Sequence, residues 1–168
     1  MSPASTSQFE KQAAFAALLA RLRDDLDALL ASQVATRAGA THEETRAEHP
    51  KDTRATEAAY LARGLAERVE ALREAVAVLA VYSPPNFAEG DAIALGAQVE
   101  LEDASGVGSR YLLAPVGGGA KLALGAGEVV VVTPSSPLGG ALLGRCEDDE
   151  IALPAPGGSR VATVIRVS

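Results

Sequence analysis

The sequence predicts an α+β fold: an N-terminal antiparallel coiled-coil hairpin, then a small antiparallel sheet that carries one short helix. Three observations predict it. Large apolar residues recur at alternating steps of four and three in two runs of the first half. Pro84-Pro85 ends the second run, and most of the glycine and β-branched residues lie beyond it. Between the runs lies an acidic link without large apolar residues, Gly39 to Asp52.

The first run spans Gln8 to Ala38. Phe15, Leu22 and Leu29 recur every seven residues and Leu19 and Leu26 interleave with them, with Arg21, Asp24, Asp25 and Asp27 between. Ser7 with Glu10 forms a capping-box pattern at the start, and Gly39 is a natural helix stop. The second seam runs through Leu65, Leu72 and Leu79, with Ala62, Val69 and Val76 between, and Asp52 or Thr53 suits its N-cap. Each run predicts a helix of roughly 30 residues, about 45 Å long at 1.5 Å per residue. Two seams joined by a short link pair antiparallel, so the link becomes the far tip of a hairpin. The half nearest the link offers mainly Val34, Tyr60 and Leu61 for packing, which makes it the least stable part.

Ser83 to Asp91 (SPPNFAEGD) is rich in turn formers, so the predicted domains are a hairpin over 1–83, a linker over 84–90 and a sheet domain over 91–168. Strands are predicted at Gln98–Glu102, Arg110–Ala114, Lys121–Leu124, Glu128–Thr133, Ile151–Leu153 and Arg160–Val167. Glycine-containing turns separate several of them. Ser136 through Gly144 instead reads as a short helix, with Ser136 as N-cap, Pro137 in the first position and Gly144 after the end.

Composition limits the function. The chain of 168 residues carries 15 basic and 22 acidic residues, a net charge of −7, and neither half is a basic nucleic-acid footprint. Autonomous DNA binding is therefore not expected, whereas an acidic protein suits a basic protein cleft. Cys146 is the one cysteine, so no intramolecular disulfide forms. No apolar run approaches the roughly 20 residues of a membrane span. The N-terminal MSPASTSQ lacks the basic-then-apolar order of a signal peptide. The expectation is a cytoplasmic monomer.

The link holds Glu43, Glu44, Glu48, Asp52 and both histidines, His42 and His49. A hairpin with carboxylates at its tip can deliver acidic groups to a site that the body of the protein cannot enter. The histidine spacing is not the i, i+4 pair of a zinc helix. Thr41-His-Glu-Glu is itself a capping-box pattern, which predicts a short helical turn within the link. Gly117-Gly118-Gly119-Ala120-Lys121 lacks the hydroxyl residue and following helix of a phosphate loop, so a hairpin turn is expected. Glu147 to Glu150 is four acids in a row, expected as a solvated turn, with a calcium contact as the other reading. No nucleophile triad suggests itself, and no intrinsic cofactor or enzymatic site is expected.

The order of helical hairpin, linker and small sheet resembles the GreA/GreB family of bacterial transcript-cleavage factors. The resemblance is carried by Ser136-Pro137-Leu138-Gly139 through Gly144-Arg145, by Asp148 to Ile151, by Pro156-Gly157-Gly158 and by the final Val164-Ile165-Arg166-Val167. Leu95 to Val99 looks like the strand that opens the family's sheet domain, and ATHEE and KDTRATEAAYLARG resemble segments of a proteobacterial Gre-like subgroup. The resemblance implies an FKBP-like C-terminal domain that docks on RNA polymerase, with Ser136, Pro137, Leu138 and Gly139 in or near the docking patch. It implies a coiled coil that enters the polymerase's secondary channel and acts on paused or backtracked complexes, close to the 3′ end of the nascent RNA. The factor is then an accessory to the polymerase's own catalysis. Two tip acids help hold a Mg²⁺ shared with the polymerase in that family; here the candidates are Glu44, Glu48 and Asp52, with Glu48 and Asp52 as the metal pair. The family's tip motif is an Asp followed three residues later by a Glu. Counting back from Gly96 puts those places at Glu48 and Lys51, and the other pairing is Asp52 with Ala55. Because neither supplies both acids, a non-cleaving regulator of the same channel is the alternative, and an interaction module outside transcription a further one.

Overall fold

The computed structural model describes residues 3–43, 53–125, 127–155 and 158–168. The chain is α+β: a helical N-terminal region and a C-terminal mixed sheet. Two helices come first, α1 (Pro3–Glu43) and α2 (Thr53–Val81). Six strands follow, β1 (Gln98–Asp103), β2 (Gly108–Leu113), β3 (Lys121–Leu124), β4 (Gly127–Val132), β5 (Glu150–Ala155) and β6 (Gly158–Val167). Between β4 and β5 sits a short helix, α3 (Pro137–Leu142). All six strands and α3 lie where the sequence put them, within a few residues at the ends.

The helix ends differ from the expectation. α1 begins at Pro3, so Ser7 lies inside it and is not its N-cap. The fixed φ of proline suits a first helical turn. α1 also runs through Gly39 to Glu43, so Gly39 is not its stop and Thr41 does not open a separate turn. A helical glycine costs about 1 kcal/mol relative to alanine, and here it is flanked by the helix formers Ala38 and Ala40. At 41 residues α1 is accordingly longer than expected, about 60 Å.

The sheet is mixed, not antiparallel throughout. Its strand order is β3-β4-β2-β1-β6-β5. β2 and β4 pair in parallel, Arg110 opposite Val129 and Leu112 opposite Val131, and the other four neighbouring pairs are antiparallel. The parallel pair arises because the β3–β4 hairpin inserts β4 beside β2 and leaves β3 at the edge. Local spacing carries no signal for that insertion.

Contacts divide the chain into two compact units, residues 1–19 with 78–168, and Ala20–Ala77. In the first unit, one face of the sheet packs with α3 into a core of Val99, Leu101, Leu113, Ile151, Val164 and Leu142 among others. Strand alternation sends Gln98, Leu112, Val129 and Val131 to the opposite face, and these are buried too. The first turns of α1 belong to this unit: Ala14 and Leu18 are fully buried, and Leu18 lies against Gly117. Phe15 meets Tyr82 with ring centroids 5.3 Å apart. Gly96 stands at φ 98°, where a side chain is strained, and a Cβ there would meet Pro85 Cδ at 2.6 Å and the Tyr82 hydroxyl at 2.7 Å.

In the second unit each helix buries one stripe, with Leu22 and Val69 buried and Leu26, Leu29, Leu65 and Leu72 half-buried. Val34, Tyr60 and Leu61, the large apolar residues nearest the link, are exposed. The Arg63 guanidinium lies 5.7 Å from the Tyr60 ring centroid.

Asp103 closes the β1–β2 turn. Its Oδ1 accepts from Ser105 Oγ at 2.6 Å, Ser105 N at 2.9 Å and Val107 N at 3.0 Å, while Oδ2 accepts from Arg160 at 2.9 Å. The Ser105 hydroxyl, then the Val107 amide, hold the carboxyl below its ordinary 3.8. A carboxylate with a lowered folded-state pKa adds stability that is present above 3.8 and lost as pH falls through the folded-state value. Asp103→Asn keeps an acceptor and removes the charge. Thermal melts from pH 7 to about 3 should show wild type the more stable at neutral pH, the gap closing below about pH 4. A pH-independent gap would assign the effect to geometry alone.

Candidate functional site

The tip candidates Glu44, Glu48, Asp52 and His49 lie outside the described residues. In sequence they fall between the end of α1 at Glu43 and the start of α2 at Thr53. Among the described residues no group of three or more His, Cys, Asp or Glu side chains is placed to hold a metal, and no helix is long and apolar enough to cross a membrane.

The second candidate, Ser136 to Gly139, is described in full. Ser136 is the N-cap of α3: its Oγ accepts from Gly139 N at 3.0 Å and donates to Thr133 O at 2.8 Å. Pro137 takes the first turn, where its missing N–H costs nothing. Gly139 is buried, and a Cβ there would overlap the carbonyl oxygen of Thr133. Three of the four residues thus build the turn from β4 into α3. Leu138 is half-buried and packs on the core cluster. Around this turn Val129, Val131, Val132 and Leu142 are core. What remains at the surface is Pro137, part of Leu138 and Leu143, which is 39% exposed. Beside them a shallow groove of about 510 Å³ is lined by Gly118, Gly119, Val130, Ser135, Pro137 and Leu138, among others.

The remaining motifs have structural roles. Gly117 to Ala120 is the tight turn before β3, with Ala120 N donating to Gly117 O. Lys121 pairs with Glu128 across the β3–β4 hairpin at 3.0 Å. In the acidic run, Glu147 accepts from Val167 N and Asp149 from Cys146 N, both at 2.9 Å. Asp148 holds φ 70° in the turn.

Sequence reasoning missed Lys11. It is 2% exposed, donates from Nζ to Pro85 O at 2.6 Å and lies 4.7 Å from the Phe87 ring centroid. Burial pushes its pKa below the ordinary lysine value. The seam continued back from Phe15 falls at Gln12, whereas Lys11, four residues before Phe15, lies on the same side of α1. Gln98 and Arg110 were missed as well. They line a cavity of about 620 Å³ that no sequence pattern marks.

The family model "Transcription elongation factor, GreA/GreB, C-term" matches residues 88–168. No curated protein matches the chain. Among solved structures, the chain is similar to the GreA factor homolog 1 (Gfh1) protein of Thermus thermophilus, with 22% identity, 89% of this chain and 94% of that one covered, and a TM-score of 0.38. Gfh1 of Thermus aquaticus gives 22% identity, coverage of 88% and 91%, and a TM-score of 0.39. A GreA/GreB elongation factor from Nitrosomonas europaea gives 22% identity, coverage of 58% and 78%, and a TM-score of 0.38.

Proposed function

From the premise that the chain belongs, through residues 88–168, to the GreA/GreB transcription elongation factor family, we propose that it docks on RNA polymerase through its C-terminal domain. In this reading α1 and α2 form an antiparallel coiled-coil hairpin, the sheet domain is FKBP-like, and the link reaches into the secondary channel of a paused or backtracked complex. The protein is an accessory factor in the cytoplasm. It leaves the chemistry to the polymerase and touches the RNA 3′ end only indirectly. The observation that carries the reading is the family match, over the domain whose Ser136-capped turn into α3 is built around Gly139.

The hard carboxylate oxygens of Glu44, Glu48 and Asp52 suit Mg²⁺. A Mg²⁺ held there together with polymerase carboxylates would supply Lewis-acid stabilisation of a phosphoryl oxygen. The side chains of this chain contribute charge and position only. Lys51 in one pairing, or Ala55 in the other, stands where the family carries a tip acid, and that favours a second reading, a channel-occupying regulator without cleavage.

Cleavage of backtracked RNA in stalled elongation complexes separates the two. Shortened RNA that depends on added protein supports a cleavage factor. No shortening, but competition with an authentic cleavage factor, supports the regulator. Neither effect would end both readings. Docking itself is tested at the surface of α3. Leu143→Asp adds a charge at an exposed position and should weaken polymerase binding about tenfold with an unchanged circular-dichroism spectrum. Unchanged affinity would move the docking patch away from α3.

A further inference from the structure

The sheet face opposite the main core forms a cavity with the start of α1. Its walls come from Phe9, Glu10 and Ala13 on the helix and from Gln98, Arg110, Leu124 and Val129 on the strands. Its volume of about 620 Å³ is in the range of small-molecule sites.

Three features of the walls point to a ligand. Gln98 is 4% exposed, and no donor of the protein reaches its Oε1, the one such buried side-chain atom among the described residues. A buried acceptor without a partner weakens a fold, and Leu112 directly opposite shows that an apolar side chain suits this layer. Arg110 is held at the wall by a bond from Nη2 to Leu124 O at 3.1 Å, and its guanidinium carries further N–H donors. Glu10 brings the opposite charge on the helix wall, and Phe9, at 73% exposure, leaves a large aromatic surface beside it.

We propose that this cavity binds a small zwitterionic peptide, of the size of a dipeptide with apolar side chains. The ammonium faces Glu10, the amide N–H donates to Gln98 Oε1, and the carboxylate meets Arg110. The side chains lie on Phe9, Ala13 and Val129. The register supports that spacing: Gln98 pairs with Leu112 and Glu100 with Arg110, so Gln98 and Arg110 are diagonal neighbours on one face. Such neighbours stand about 7 Å apart, the reach of one extended peptide unit and its flanking atoms. This site is independent of polymerase docking.

The test titrates the full chain with L-leucyl-L-leucine and with its N-acetylated, C-amidated analogue, followed by NMR and thermal shift. Wild type should bind the free dipeptide saturably and bind the capped analogue at least about tenfold more weakly. Gln98→Leu should lose about tenfold in affinity while its Tm without ligand rises, because the unpaired acceptor is gone. Glu10→Gln, at an exposed position, should weaken the dipeptide and spare the capped analogue. No saturable binding to wild type, equal binding of the two ligands, or full affinity in Gln98→Leu would each overturn the proposal.

Discussion

Gly139→Ala should lower the melting temperature of the C-terminal domain by about 10 °C or more. The added methyl group would overlap the Thr133 carbonyl oxygen. That oxygen already accepts from Ser136 Oγ and from Ser136 N at 2.9 Å, so it cannot withdraw without breaking the cap of α3. Either the turn from β4 into α3 opens, or α3 shifts and Leu142 leaves the core. Overpacking against backbone costs about 1–3 kcal/mol or more. In a domain of this size 1 kcal/mol corresponds to roughly 4–8 °C. Gly140→Ala is the control, because a Cβ there comes no closer than 3.6 Å to Pro134 O. Calorimetry on the two variants decides the matter: a Gly139→Ala melt within a degree or two of wild type would contradict the close approach.

The largest functional effect is expected at the tip. Glu48→Ala and Asp52→Ala should each reduce protein-dependent RNA cleavage by on the order of 100-fold if these carboxylates share a Mg²⁺ with the polymerase, since even outer-shell partners of a metal are worth 10–100-fold. Polymerase affinity should stay within about twofold, because the C-terminal domain is proposed to do the docking. Neither variant should alter Mg²⁺ binding by the free protein, as Mg²⁺ gives up its waters reluctantly and needs the polymerase's ligands as well. A factor with cleavage intact in both variants would reduce the acids to a solvated link. Raised Mg²⁺ should partly restore cleavage in the variants if they act through the ion, and leave it unchanged otherwise.

The parts of this fold that were legible in the sequence are those set by local chemistry. β-Branched segments between glycine-containing turns placed β1 through β6, and Ser136 with Pro137 announced α3 three residues before its buried glycine. The helix-ending signal at Gly39 misled, because one glycine among strong helix formers does not outweigh the turns on either side. The parallel β2–β4 pair was invisible, since it depends on where a hairpin inserts and not on any residue within it. Lys11 lies beside the seam, four residues before Phe15, and its burial depends on Pro85 and Phe87, which are far away in sequence. The apolar run Val129–Val132 serves both faces of the sheet. Both faces are in fact buried, and Val129 and Val131 serve the second. For the tip, the sequence names the acids and the described residues bracket them at Glu43 and Thr53.

The central claim, that this protein works on RNA polymerase, is tested most directly by binding of the full chain to bacterial core RNA polymerase at low salt, with an authentic transcript-cleavage factor as competitor. The account predicts one-to-one binding that the competitor displaces and that Leu143→Asp weakens. Absence of binding, or binding that the competitor leaves untouched, would contradict it.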